Sequence, residues 1–189
     1  MKDVNKIFEI GVQKMGTTSL GRAYEILGLK HMGWNSEAHN LFVESKHRDY
    51  KTLFDIIDQY DAFQDGPWHD CDYRILDGSY PGSKFILPDR DDDSWIRSKE
   101  QWMSPAINAG NLDPKFLNPS WITYRDSVIE ALLARKHYKY DRIKEYFVDR
   151  PDDLLVIQIC DGEGWQKLCP FLGEKIPEES FPARNITAR

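Results

Sequence analysis

Lysine, glycine and threonine crowd one short stretch near the start of the chain: Lys6-Ile7-Phe8-Glu9-Ile10-Gly11-Val12-Gln13-Lys14-Met15-Gly16-Thr17-Thr18-Ser19-Leu20. Together, residues of these types can hold an anion. Gly11 and Gly16 allow a tight turn in which successive backbone N–H groups converge. A helix beginning near Thr17 adds unpaired N–H groups and the positive end of its dipole. Lys14 brings a full positive charge, and the hydroxyls of Thr17 and Thr18 can cap the helix or donate to phosphate oxygens. The stretch reads as a phosphate cradle between an apolar strand and a helix. A strand-to-helix turn without a ligand needs the glycines, but not the lysine and two threonines as well.

The placement of the lysine narrows the chemistry. In the G-x-x-x-x-G-K-[ST] loop of nucleotide triphosphatases the lysine follows the second glycine, and the next hydroxyl meets magnesium. Here the glycine spacing is kept, Thr17 stands in the lysine position, and the lysine has moved to Lys14. Gln13-Lys14-Met15-Gly16-Thr17-Thr18 resembles the P-x-x-G-T-T loop of sulfotransferases that use PAPS (3′-phosphoadenosine 5′-phosphosulfate). The resemblance implies a loop that holds the 5′-phosphosulfate without a metal. A second stretch, Lys84-Phe85-Ile86-Leu87-Pro88-Asp89-Arg90 and onward to Ser98, is similar to the segment in which that family binds the 3′-phosphate. There a strand ends in an arginine and a serine follows eight positions later, the spacing of Arg90 and Ser98. A guanidinium suits the role because its planar fork grips two oxygens. The alternative for Arg90 is an ion pair with a neighbouring aspartate, while Asp92 and Asp93 cap the next helix.

Sulfuryl transfer also needs a base for the acceptor's proton. In the family a histidine or carboxylate at the end of a middle strand serves, and Asp65 stands in the corresponding place after Ala62-Phe63-Gln64. His69, one helical turn on, is the second candidate. Asp65 is equally readable as a turn residue ahead of Gly66-Pro67, and His69 as an ordinary histidine at a helix start. The segments Tyr146–Val156 and Gly164–Gly173, with Phe181-Pro182-Ala183-Arg184-Asn185, resemble the last strand, helix and tail of bacterial-type sulfotransferases. Two departures stand out: Gln13 replaces the usual proline, and Ser19 the tryptophan that stacks adenine in the cytosolic animal branch.

These residues need a scaffold. Thr18 to Leu29 has helical spacing, and further helices are expected over about 36–47, 50–60, 69–80, 92–102, 121–146 (broken near Tyr138) and 164–172. The apolar runs Lys6–Ile10, Ala62–Asp65, Lys84–Leu87 and Leu154–Ile159 are the strands, the last reading as buried. Lys30 to Asn35 reads as a turn, residues 104–120 as a loop or mobile lid, and the tail from Gly173 as irregular. Alternating strands and helices predict an α/β fold, a P-loop-type parallel sheet flanked by helices on both faces, as a single domain over 1–189. Ligands of such sheets sit beyond the strands' carboxyl ends, where the cradle, Asp65 and Arg90 fall.

Bulk properties set limits. A net charge of −6 argues against a general nucleic-acid surface and requires a local cluster of donors for any polyanion. Three cysteines without C-x-x-C spacing read as reduced thiols, the histidines show no metal-ligand spacing, and no apolar run reaches membrane length. A soluble cytoplasmic protein is expected. The resemblance implies a transferase that uses PAPS, leaves adenosine 3′,5′-bisphosphate, and needs no metal. Lys14 would meet charge on the leaving phosphate and Asp65 or His69 the acceptor's proton. Gln13, Met15, Gly16, Thr17, Thr18, Arg90 and Ser98 would hold the nucleotide. The acceptor would be a small molecule or glycan with a hydroxyl or amine. The rivals are a magnesium-dependent P-loop kinase or hydrolase, with Asp89 or Asp161 on the metal, and an inactive nucleotide-binding module of the same fold.

Overall fold

The computed structural model describes residues 5–44, 50–103 and 119–182. Five strands, β1 (Ile7–Glu9), β2 (His31–Met32), β3 (Ala62–Phe63), β4 (Lys84–Pro88) and β5 (Leu154–Ile157), form one parallel sheet in the order β2-β3-β1-β4-β5. Its helices are α1 (Thr17–Ile26), α2 (Ser36–His39), α3 (Tyr50–Ile57), α4 (Tyr73–Ser79), α5 (Asp92–Met103), α6 (Pro119–Tyr146) and α7 (Trp165–Leu172).

Successive strand residues face opposite sides of a sheet, and that alternation builds two cores. Ile7, Ala62 and Ile86 pack on one side with Leu20, Ala23 and Tyr24 of α1 and Trp165 and Leu168 of α7. Phe8, Phe63 and Phe85 pack on the other, the latter two rings 5.2 and 5.8 Å from that of Phe8, with α3, α4, α5 and α6 contributing to the same cluster. Both faces are therefore covered, as expected. The chain runs from β1 out to β2, returns through β3, and then crosses to β4 on the far side of β1. This reversal opens a crevice above the carboxyl ends of β3, β1 and β4.

Several boundaries differ from expectation. His31–Met32 is a strand rather than a turn, pairing with Ala62 and Phe63; two residues are too few to show a period. The second helix passes after His39 into a π-helical turn over Asn40–Glu44, and residues 45–47 lie outside the described residues. The third ends at Ile57. The helix expected from His69 to Tyr80 is split, because Asp72 caps a new helix through the Arg74 N–H (3.0 Å) after a 3-10 turn at Trp68–Asp70. Of the expected loop at 104–120, residues 104–118 lie outside the described residues, and Pro119 and Ser120 begin α6. That helix runs unbroken through Tyr138; its non-helical residue is Tyr124. β5 stops at Ile157 and, as an edge strand, is only half-buried along most of its length.

Candidate functional site

A cleft of about 1290 Å³ lies at the carboxyl edge of the sheet. Its walls include Gln13, Lys14, Gly16, Thr17 and Thr18 from the β1–α1 loop, Asp65 after β3, and Arg90 and Ser98 after β4. Two other candidates turn away. The Met15 side chain is fully buried in the core under the loop, leaving only its backbone for a ligand, and His69 is 3% exposed and does not line the cleft.

The loop is shaped before any ligand arrives. Gly16 caps α1 in a left-handed conformation (φ 87°), where a Cβ would stand 2.9 Å from Ile159 Cγ2. No side chain caps this helix and no acid occupies its first turn, so its N–H groups and positive dipole end suit an anion. Lys14 is also left-handed (φ 71°). Helix α5 holds the loop from the side: Trp95 Nε1 donates to Gln13 O (2.8 Å) and Lys99 Nζ to Gln13 Oε1 (3.1 Å). Arg90 Nη1 donates to Lys14 O (3.4 Å).

Arg90 also donates through Nε to Ser94 Oγ (2.6 Å) and makes no ion pair with the adjacent aspartates among the described residues. Asp91 caps α5 by accepting the Ser94 N–H (2.9 Å), rather than Asp92 or Asp93. Asp92 instead bonds Lys136 and His137, each at 2.8 Å. The guanidinium therefore keeps donors for an anion, beside buried Ser98 and the exposed Arg97 on the same wall.

Asp65 sits against the loop from the other side. It too is left-handed (φ 70°), and its carboxylate accepts from Gly66 N (2.9 Å) and Thr17 Oγ1 (3.4 Å). His69 lies behind it, with Nδ1 4.0 Å from Asp65 Oδ1 and Nε2 3.3 Å from Asp70 Oδ2. Burial alone would depress the His69 imidazolium, but the Asp70 hydrogen bond and the Glu9 and Asp70 charges raise it above the ordinary range. Among the described residues, no group of three or more His, Cys, Asp or Glu could hold a metal ion, and no helix is long and apolar enough to cross a membrane.

Sequence reasoning missed the residues that brace the site. Lys99 is buried, and burial followed by the Lys14 charge lowers its pKa. Glu9, fully buried at the end of β1, accepts the Gly11 and Asp65 N–H groups; its signal was a charge inside an apolar run. Lys136, Lys139 and Tyr140 reach the site from α6, whose sequence gave no hint of a partner.

Comparison with known proteins agrees with this geometry. The family model described as "Sulfotransferase domain" matches residues 6–189. A protein of Aspergillus versicolor described as "Ava biosynthesis cluster protein M" is 24% identical over 223 aligned positions, which cover 94% of this chain and 79% of that protein.

Proposed function

The chain belongs to the sulfotransferase domain family, and from that premise we propose that it transfers a sulfuryl group from PAPS to a hydroxyl or amine. One observation carries the choice of donor. The cleft offers two anion stations, the uncapped start of α1 with Lys14 and, next to that loop, Arg90 with Ser98 after β4. A nucleotide with phosphates at both 3′ and 5′ positions matches that pair. The volume of about 1290 Å³ exceeds the range of roughly 300–1,000 Å³ usual for one small ligand, which leaves room for an acceptor.

PAPS, when bound, supplies the activated sulfuryl group. The backbone of Gln13 to Thr18 and both threonine hydroxyls bind the 5′-phosphate, and Arg90 and Ser98 select the 3′-phosphate. Lys14 neutralises charge that builds on the leaving phosphate. Such preorganised donors are the largest catalytic resource of many enzymes, one donor being worth about 3 kcal/mol. Asp65 takes the proton of the acceptor, while His69, buried behind it with Nδ1 4.0 Å from Asp65 Oδ1, beyond hydrogen-bond reach, supports the turn by packing. A small-molecule acceptor is in keeping with a relative named for a biosynthesis cluster. We place the protein in the cytoplasm, in line with its free cysteines.

Calorimetry tests the donor. Adenosine 3′,5′-bisphosphate should bind without metal and much more tightly than adenosine 5′-monophosphate. Arg90→Ala should remove most of the preference, at a cost of about 2 kcal/mol for a charge-assisted bond. Equal affinity for the two nucleotides, or binding of ATP that depends on magnesium, would favour a kinase or hydrolase instead.

A further inference from the structure

Glu9 and Lys139 each touch the same two segments, the start of the cradle and the turn that carries Asp65. The Glu9 carboxylate is fully buried; one oxygen accepts the Gly11 N–H (2.7 Å) and the other the Asp65 N–H (3.1 Å). Lys139 Nζ donates to Gly11 O (2.6 Å) and to His69 O (2.5 Å). The Asp65 turn is itself closed by the His69 N–H on Asp65 O (3.2 Å). Both loops are thus gripped at two points each by one acid and one base.

We propose that Glu9 and Lys139 are a positioning pair that holds the cradle and the Asp65 turn in fixed relation. The inference rests on the functional reading above, in which Lys14 and Asp65 serve opposite halves of one reaction. Glu9 is fully buried and Lys139 half-buried; burying a charge costs up to several kcal/mol per ion before any attraction is counted, and apolar side chains of similar volume often stabilise as well. The gain specific to charged groups here is four directional bonds to backbone atoms of two loops. Asp65 gives that gain a purpose. A left-handed residue other than glycine costs about 1–3 kcal/mol and persists only where its surroundings over-determine it. Glu9 holds its N–H, and Gly11 is glycine because a Cβ there would lie 2.8 Å from Glu9 Oε1. Burial raises the Glu9 pKa and lowers that of Lys139, and each charge opposes the other's shift.

Glu9→Gln turns an amide N–H toward one of the two N–H groups, and Lys139→Met removes both carbonyl contacts. Each variant should lower kcat at least about tenfold, since misplacement by 1 Å can cost about a hundredfold. The dissociation constant for adenosine 3′,5′-bisphosphate should stay within about threefold, because Trp95, Lys99 and Arg90 hold the rest of the cradle independently. Hydrogen exchange should rise in both segments, 9–16 and 62–71, in either variant. Parallel loss of rate and nucleotide affinity, an unchanged rate, or loosening of one segment alone would overturn the pairing. A parent protein that transfers no sulfuryl group would count against the function, and the exchange measurement would then decide the pair by itself.

Discussion

Lys14 and Asp65 share a backbone that side chains rarely adopt, with φ of 71° and 70°. Glycine would adopt either φ at less strain, so the side chains themselves must matter at these positions. Lys14 is the sharper case. The residue lines the cleft, while its carbonyl is held by Arg90. Lys14→Gly relieves the strained φ and removes the charge, so the melting temperature should hold or rise while turnover falls by about a hundredfold. Lys14→Met keeps the strain and should show the same loss of turnover without any gain in stability. Thermal scans beside steady-state rates check this. A lower melting temperature for the glycine variant would mean that the lysine holds the loop rather than serving the reaction.

At the scale of elements, one helix face organises the site. Lys136, Lys139 and Tyr140 follow helical spacing on α6, so they share a face, and together they reach the segments after β1, β3 and β4. Tyr140 donates to Pro88 O (2.6 Å) from a buried position. Tyr140→Phe keeps the ring but leaves that carbonyl without its partner, which should cost about 1–3 kcal/mol in urea unfolding. A loss below about 0.5 kcal/mol would show that the bond adds little to the clamp. This contribution of α6 was not legible in the sequence, because a lysine aimed at a distant carbonyl looks like any surface lysine. The helix itself was legible, as were four of the five strands, since periodicity and apolar runs are local signals. β2 was hidden by its length of two residues, and the split ahead of α4 by Asp72, one acid among many. For the site, Gln13, Lys14, Gly16, Thr17, Thr18, Asp65, Arg90 and Ser98 line one cleft. Met15 and His69 could not be sorted from them, because which way a side chain points depends on packing from remote parts of the chain.

The whole molecule sets charge against its expected ligand. With a net charge of −6 it must gather cations locally, and Lys14, Arg90 and Arg97 line the cleft with Lys99 just behind. Beneath that cluster lie the buried Glu9 and His69 with the partly buried Lys139 and Asp70, so stability should carry a signature of their titration. The His69–Asp70 pair gives a clear sign. His69 is raised in the folded state, so its contribution is whole below the ordinary histidine pKa of about 6.5 and is lost as pH rises through the folded value. Against the burial that would raise it, the His69 bond and the His69, Lys139 and Arg135 charges lower Asp70, whose contribution is whole above about pH 3.9 and is lost as pH falls through the depressed value. The pair therefore supports the fold most between about pH 4 and 6.5. His69→Gln removes the charge and keeps much of the volume. The difference in melting temperature between parent and variant should be largest near pH 5 to 6 and shrink above about pH 7, whatever constant packing loss accompanies it. A difference that stays flat across this range would show that His69 is held as a neutral ring. Its place behind Asp65 would then be one of shape alone.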